Sequence, residues 1–323
     1  SHIVPIGIAL LFLSLVAVFV GHQFGLATES SILIVCAAVV GGYMALNIGA
    51  NDVANNMGPA VGGKVLTITT AIAIAAVCEF AGAVLAGGDV VKTVSKGIIS
   101  PSGAVSVESF QILMLSALLA AALWINLATI LSAPVSTTHS IVGGVLGAGI
   151  AAAGFGLVNW VTMAKIAASW IISPVFGAAV AALLLFFIKS RVLNVEDRLT
   201  AARKWVPILI GLMAAAFAAY MAMKGLKKIW KPSSVEIALF AVACFAAAWA
   251  LARPYIARKT EKLSNRKQDI NGLFDLPLII GAALLSFAHG ANDVANAVGP
   301  LAAIVSTSGA EGAIASKVEI PLW

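Results

Sequence analysis

Charged side chains are scarce in this 323-residue chain: Asp, Glu, Lys and Arg make up only 11% of it, and 61% is hydrophobic. Soluble domains keep about a quarter of their residues charged. This deficit, together with a mean hydropathy of +1.02, excludes an ordinary soluble domain. Cysteine is also scarce, since only Cys36, Cys78 and Cys244 occur, far apart in apolar segments. Their dispersal argues against a metal-binding cysteine pair and predicts small buried hydrophobic residues.

Eight apolar segments are predicted to cross a membrane, because about 20 apolar residues span a bilayer core. Only helices and closed barrels satisfy the backbone in lipid, and these runs are too long and too unalternating for barrel strands. The fold class is therefore an all-α integral membrane protein, with spans predicted at 3–21, 31–48, 67–86, 108–125, 162–188, 205–223, 235–253 and 277–288.

The basic residues behind the net charge of +6 lie in loops between the spans, without interleaved aromatics, which argues against nucleic acid binding. Loops 189–204 and 254–276 are separated by two spans and should therefore face the same side. The positive-inside bias predicts that this side is the cytoplasm of a cell-membrane protein. Loop 224–234, on the opposite side, is also basic.

One polar segment occurs twice: GANDVANNMGP at 49–59 returns as GANDVANAVGP at 290–300, with nine of eleven positions identical. Its first glycine permits a break in a helix, the Asn or Asp could cap a new half-helix, and the Gly-Pro pair could end it. The segment therefore predicts a helix interrupted inside the membrane. Broken helices at matching places in two repeats are typical of secondary transporters, which bind their substrates there.

Asp52 and Asp293 are the ionisable residues of the two copies, and an acid inside a membrane is a functional candidate. A second pair of acids repeats as well: Glu79 follows Asp52 by 27 residues, and Glu319 follows Asp293 by 26. For this pair, a coupling-ion site and a structural hydrogen bond are both open. His289 is matched by Ile in the first copy, and this asymmetry argues against an essential shared role.

The segment PVSTTHS at 134–140 places a helix-breaking proline before four hydroxyls and a histidine. It predicts a re-entrant hairpin with its tip at 132–138, whose hydroxyls and free amides could donate to an oxyanion. Alternatively, the hydroxyls bond back to helix carbonyls. His139 is interpreted as packed or supporting rather than as a ligand. The glycines that follow are predicted to allow close helix packing: Gly143, Gly144 and Gly147.

The predicted spans have no central Lys or Arg, so an anion site would depend on helix ends, hydroxyls and bound cations. Two aspartates beside an anion repel it unless they are neutralised. Na⁺ or H⁺ bound at Asp52 and Asp293 would remove that repulsion, which is a physical reason for cation–anion cotransport.

These motifs resemble the signatures of the PiT family of inorganic phosphate transporters. The resemblance implies an inverted-repeat helical membrane protein, not an enzyme, that carries phosphate with Na⁺ or H⁺ and needs no cofactor beyond the coupling ion. It implies phosphate-binding residues at Asn51, Asp52, Ser136, Thr137, Thr138, Asn292 and Asp293. It implies sodium ligands at Asp52, Asn55, Asp293 and Asn296, and Glu79 and Glu319 are further candidates for the coupling ion.

The predicted organisation follows the repeats. In the first, Pro134 lies 82 residues after Asp52, and the same spacing from Asp293 places a second hairpin near residue 375. A longer chain is therefore expected. The predicted segments are an N-terminal transmembrane helix at 1–30, a first repeat at 31–153, connecting helices at 154–257, a charged cytoplasmic linker at 258–276 and a second repeat at 277–323.

Two other classes compete with a phosphate symporter. An intramembrane aspartyl protease also uses two membrane aspartates, but its two motifs should differ, whereas these are near-copies. A cation exchanger or channel with inverted repeats is the closer rival, because Asn and Asp suit cations. The hydroxyl-rich hairpin favours an oxyanion, and hard oxygen ligands favour Na⁺ over H⁺. The sequence leaves a homo-oligomer open.

Overall fold

The computed structural model describes residues 3–87, 98–99, 105–225 and 230–308, and this part of the chain is helical without a β-sheet. Ten α-helices occur in the described residues: α1 Ile3–Phe24, α2 Glu29–Gly62, α3 Ile68–Ala86, α4 Val107–Ile130, α5 Thr137–Ala153, α6 Trp160–Ile188, α7 Arg198–Tyr220, α8 Ser234–Thr260, α9 Lys267–Asn271 and α10 Asp275–Ser308.

Eight of these helices are long and apolar enough to cross a membrane, which confirms the predicted number of spans. Their exposed faces carry large apolar side chains, as a helix in contact with lipid requires. The exceptions are α9, a single short turn, and α5, whose 17 residues fall short of the roughly 20 needed.

The chain divides into two compact units. The first is built from residues within 1–55, 80–165 and 289–323, and the second from 56–79 and 166–288. Neither unit is contiguous in sequence. The predicted repeat boundaries at 31–153 and 277–323 remain a prediction, because residues 309–323 lie outside the described part.

The predicted helix breaks at the repeated segment are wrong. Helices α2 and α10 each run for 34 residues without interruption through GANDVAN and past the prolines, Pro59 and Pro300. Glycine permits a break but does not force one, and the polar side chains find partners without unwinding. Each proline still lacks an amide, so the carbonyl four residues earlier, on Asn55 and Asn296, loses its helical donor.

The predicted hairpin is confirmed as α4 and α5, antiparallel neighbours joined by a turn at 131–136. Ser132 in this turn has a φ of 55°. Ser136 caps α5, since its side chain accepts a 3.2 Å hydrogen bond from the amide of His139. Of the three glycines assigned to packing, Gly144 is the one that close approach requires, because an added Cβ would lie 2.7 Å from the Ala117 carbonyl oxygen.

Gly144→Ala is expected to lower the thermal unfolding midpoint by several degrees, while Gly143→Ala leaves it unchanged or raises it. Alanine gains about 1 kcal/mol over glycine in a helix. At Gly144, the backbone clash with α4 costs about 1–3 kcal/mol and outweighs that gain. An added Cβ at Gly143 meets nothing within 4 Å. Fluorescence-monitored melting of both purified variants checks this, and equal midpoints would contradict it.

In the second unit, the two basic loops meet at one end of the helix pair α7 and α8. Asn265 accepts from the Arg198 amide at 2.9 Å and donates to the Glu196 carbonyl at 2.6 Å. Lys267 donates to Asn194 at 2.9 Å. Beneath them lies a buried apolar cluster: Val192, Ala202, Val206, Ile256, Ile270 and Leu273. Loops 189–204 and 254–276 therefore contact each other at this end of the second unit, and segment 258–276 is packed against α7.

Candidate functional site

Three ionisable side chains meet within the first unit. His289 Nε2 lies 3.3 Å from Asp52 Oδ2 and 3.0 Å from Asp293 Oδ2. The ligand atoms of all three lie within 4.8 Å of one another, a spacing that could hold a metal ion. The side chains are largely buried, with 8% of Asp52, 12% of Asp293 and 16% of His289 exposed. The acids of the two repeated segments are thus brought together.

The start of α5 contacts the second copy of the repeated segment. Thr137 donates its hydroxyl to Asp293 Oδ2 at 2.6 Å. The Asn296 amide nitrogen lies 3.2 Å from the Thr137 hydroxyl and 3.1 Å from that of Thr138, to which it donates. Residues more than 150 positions apart in the sequence therefore form one hydrogen-bonded group, which links the hairpin to the carboxylates.

Asn51 holds the hairpin turn from the first copy of the segment. Its amide nitrogen donates to Thr129 Oγ1 at 3.0 Å and to the Ala133 carbonyl at 3.3 Å, and its Oδ1 accepts from the Val135 amide at 3.4 Å. Two of these contacts are to the residues on either side of Pro134, which has no backbone N–H to donate. Asn51 therefore fixes the position of the turn that carries the hydroxyls.

Both repeated segments carry further oxygen atoms suited to a cation. Asn55 donates its side-chain amide to Asp52 Oδ1 at 3.2 Å, so its own amide oxygen lies on a residue that contacts the acid. Asn296 Oδ1 is buried and has no hydrogen-bond partner within the described residues. The Asn55 and Asn296 carbonyls lack helical donors because of the prolines. Carboxylate, amide and carbonyl oxygens are the ligands that hard cations prefer.

The charges of Asp52 and Asp293 also favour a bound cation. Two ionised carboxylates within 4.8 Å repel each other by at least roughly 3 kcal/mol at an effective dielectric constant of about 20. A buried pair therefore has to be balanced by a cation, a proton or an imidazolium. A cation between Asp52 and Asp293 is the arrangement that would also let an anion approach the adjacent hydroxyls.

The hydroxyl groups of the hairpin tip have different partners. Ser136 uses its oxygen as the helix cap, and Thr137 bonds to Asp293 rather than back to its own helix. Ser140, by contrast, donates back to the Ser136 carbonyl at 2.8 Å. The first amides of α5 have no acceptor within the helix, and such a helix start favours anions. Hydroxyls and amides at this tip can therefore donate to an oxyanion.

The structure does not bring every predicted residue into this group. Asn292 precedes Asp293 and is exposed. Glu79 belongs to the second unit, where it accepts a 2.9 Å hydrogen bond from Asn56. This contact supplies the partner that a structural hydrogen bond of Glu79, one of the two alternatives left open by the sequence, would need. The second copy has Ala297 where the first has Asn56. Glu319 lies outside the described residues.

His289 is the residue that sequence reasoning discounted, yet it lies between the two aspartates. The sequence signal that could have identified it is its spacing: His289 lies four residues before Asp293, so the two share a face of α10 if the helix is continuous.

Two further amide pairs position the helices that carry the site. Gln111 donates to Thr307 at 2.9 Å, and Asn126 donates to Asn47 at 2.8 Å.

A polytopic helical bundle with repeated acids beside a hairpin tip has the features of a secondary transporter. A family model described as the phosphate transporter family matches residues 48–323. The chain belongs to that family, which confirms the resemblance inferred from its motifs. Because the family is one of transporters, the intramembrane protease is set aside.

Individual relatives agree with the family match. A protein of Helicobacter pylori strain J99, provisionally named a phosphate permease, is 48% identical over 98% of this chain and 60% of its own length. One from Pyrococcus abyssi is 37% identical over 88% of this chain and 69% of its own. A solved structure, described as the sodium-dependent phosphate transporter, matches with a TM-score of 0.82 and 35% identity over 90% of this chain and 71% of that one. The chain thus spans about 60% of the Helicobacter relative's length.

Proposed function

We propose that the protein is a symporter that moves inorganic phosphate across the cell membrane, driven by a Na⁺ gradient. The observation that carries the proposal is the meeting of Asp52 and Asp293 beside the Thr137 hydroxyl at the start of the hairpin helix. Family membership and the likeness to a sodium-dependent phosphate transporter support it.

Phosphate would bind at the hairpin tip. Ser136, Thr137 and Thr138, with the first amides of α5, supply donors, and the motif residues Asn51, Asp52, Asn292 and Asp293 complete the proposed site. A doubly charged oxyanion cannot approach two ionised carboxylates without compensation. The proposal therefore requires cations to bind before or with phosphate, and this order couples the two fluxes.

Sodium would bind between the two copies of the repeated segment, with Asp52, Asn55, Asp293 and Asn296 as ligands. Asn296 Oδ1 is buried and has no hydrogen-bond partner among residues 3–87, 98–99, 105–225 and 230–308, which supports a cation ligand at this place. Neutral carbonyl and amide oxygens suit a metal cation better than a proton, which favours Na⁺ coupling. Glu79 and Glu319 stay as further candidates for the coupling ion.

Transport would proceed by alternating access, in which one repeat rocks against the other around the site. We place loops 189–204 and 254–276 in the cytoplasm. Two observations support this orientation: the loops contact each other at one end of the second unit, and both are basic.

Uptake of radiolabelled phosphate into proteoliposomes of the full-length protein tests the proposal. We expect uptake with an inward Na⁺ gradient at fixed pH and none with a proton gradient in Na⁺-free buffer. Uptake driven by protons alone would replace Na⁺ with H⁺ as the coupling ion. As a control for the cation exchanger or channel, ²²Na⁺ flux is measured without phosphate. Flux that persists there, with no phosphate uptake under either gradient, would overturn the proposal.

A further inference from the structure

One face of α8 changes from apolar to basic towards the helix C-terminus. The stripe consists of Leu251, Pro254, Tyr255, Arg258 and Lys262: Pro254 and Tyr255 lie three and four residues after Leu251, Arg258 lies four and three residues after them, and Lys262 follows Arg258 by four, so they share one face of the helix and its end. All five are exposed, and Leu251 and Tyr255 have 75% and 43% of their surface accessible. The stripe therefore presents an apolar surface that ends in two positive charges.

Two adjoining cavities of the second unit follow this stripe. The first, of about 360 Å³, is lined only by apolar or aromatic side chains from α7, α8 and α10, among them Ile210, Ala248 and Leu276. The second, of about 890 Å³, shares Leu251 and Tyr255 with the first and continues to the basic end. Together they form one groove, apolar along its length and cationic where it ends.

The positive charges at this end are not all used within the fold. Lys259 donates to the Gly272 carbonyl at 3.0 Å and lies 5.9 Å from the centre of the Tyr255 ring. The side chains of Arg258 and Lys262 have no hydrogen bond or ion pair within the residues described. They stand four residues apart, Arg258 in the last turn of α8 and Lys262 just beyond the end of the helix, and like charges this near in sequence repel each other. An anion held between them would remove that repulsion, and Glu261 is the single acid lining the groove.

We propose that this groove binds an anionic phospholipid, with an acyl chain in the apolar cavity and the headgroup phosphate between Arg258 and Lys262. The helix is a candidate membrane span that ends at Thr260, so its basic end reaches the depth of the headgroups. Orientation alone explains basic residues in a loop, but not a continuous apolar groove that leads to them. A free phosphate would use the charges and leave the groove without a role.

The test is native mass spectrometry of the full-length protein titrated with phosphatidylglycerol or phosphatidylcholine of the same acyl chains. Each basic residue near a headgroup is worth about a factor of five in affinity, so the wild type should prefer the anionic lipid roughly ten- to thirtyfold. Arg258→Gln/Lys262→Gln should lose that preference. The matched control, Arg253→Gln/Arg266→Gln, removes two charges outside the groove and should keep it.

Further arms separate the alternatives. Excess inorganic phosphate should leave the bound phosphatidylglycerol in place, and its displacement would overturn the lipid as occupant. Ala248→Trp, which fills the apolar cavity without touching a charge, should weaken both lipids. Equal affinity of the wild type for both lipids, or equal loss in the two double variants, would overturn the proposal. So would a double variant that changes the monomer–dimer ratio with lipid affinity unchanged, since the groove would then be a contact between copies.

Discussion

Replacing Asp293 with asparagine is expected to lower the initial rate of Na⁺-driven phosphate uptake by at least about 30-fold. The substitution keeps the size of the side chain and an oxygen that can accept from Thr137, so the hairpin contact is preserved in shape. It removes one of the two negative charges between which the proposed cation lies. Uptake into proteoliposomes at saturating phosphate, with Na⁺ well below the concentration that saturates the wild type, measures the effect.

The magnitude follows from the loss of a buried charge partner. Truncating one member of a buried, hydrogen-bonded charge pair costs about 2–5 kcal/mol. Since 1.4 kcal/mol is a factor of ten in an equilibrium constant, cation affinity falls by about 30-fold at the low end and more than 1,000-fold at the high end. Asp52→Asn should act similarly, because Asp52 contacts the same histidine from the other repeat copy.

Asp275→Asn is the matched control, since Asp275 lies in the first turn of the same helix and outside the site. It should transport at the wild-type rate. A second readout is independent of transport: Na⁺ should raise the unfolding midpoint of the wild type, because a ligand that binds only the folded state stabilises it. Asp293→Asn should lose that increment. Normal uptake by a folded Asp293→Asn protein would contradict the proposed cation site.

The number of spans was predictable because it depends on composition alone. Long apolar runs with few charges have no stable place in water, and each becomes a helix in lipid. The boundaries were less predictable. The span predicted at 277–288 is part of α10, which continues to residue 308, and the span predicted at 31–48 is part of α2, which continues to Gly62. Both helices extend through the polar segments at which the sequence suggested a break.

Because a helix break was predicted at Gly290, the sequence analysis did not recognise His289 as part of the site. A histidine four residues before an aspartate shares its helix face only if the helix continues through Gly290. With a break placed there, the spacing carried no information, and the asymmetry with the first copy decided against the residue. In the continuous helix, the polar side chains have partners that the sequence could not reveal: Thr137 donates to Asp293, and Thr138 accepts from Asn296. Sequence distance gives no indication of such a contact.

The hairpin was predictable because Pro134 has a local effect: it removes a donor and ends one helix before the next begins. What holds the turn was not predictable, because Asn51 reaches it from another helix. The same residue type at position 51 suits a ligand, a cap or a brace, and only the fold distinguishes these roles.

Thr137→Val is expected to reduce phosphate uptake by at least about 30-fold in the full-length protein. Valine has the shape of threonine, so the packing at this buried position is kept. The loss is chemical: Asp293 loses its 2.6 Å donor, and the Asn296 amide loses an acceptor at 3.2 Å. A buried polar group left without its partner costs about 1–3 kcal/mol, and more if charged. Both the KM for phosphate and the Na⁺ concentration for half-maximal uptake should rise.

Thr137→Ser separates this effect from a general disturbance of the hairpin. Serine restores the hydroxyl without the methyl group, so uptake should return to within a few-fold of the wild type. Thr162→Val, in the first turn of α6 and outside the site, is the matched control and should leave the rate of phosphate uptake unchanged. If Thr137→Val kept uptake near the wild-type rate while Thr137→Ser lost it, the methyl packing rather than the hydroxyl would be what matters. The bond to Asp293 would then have no part in transport.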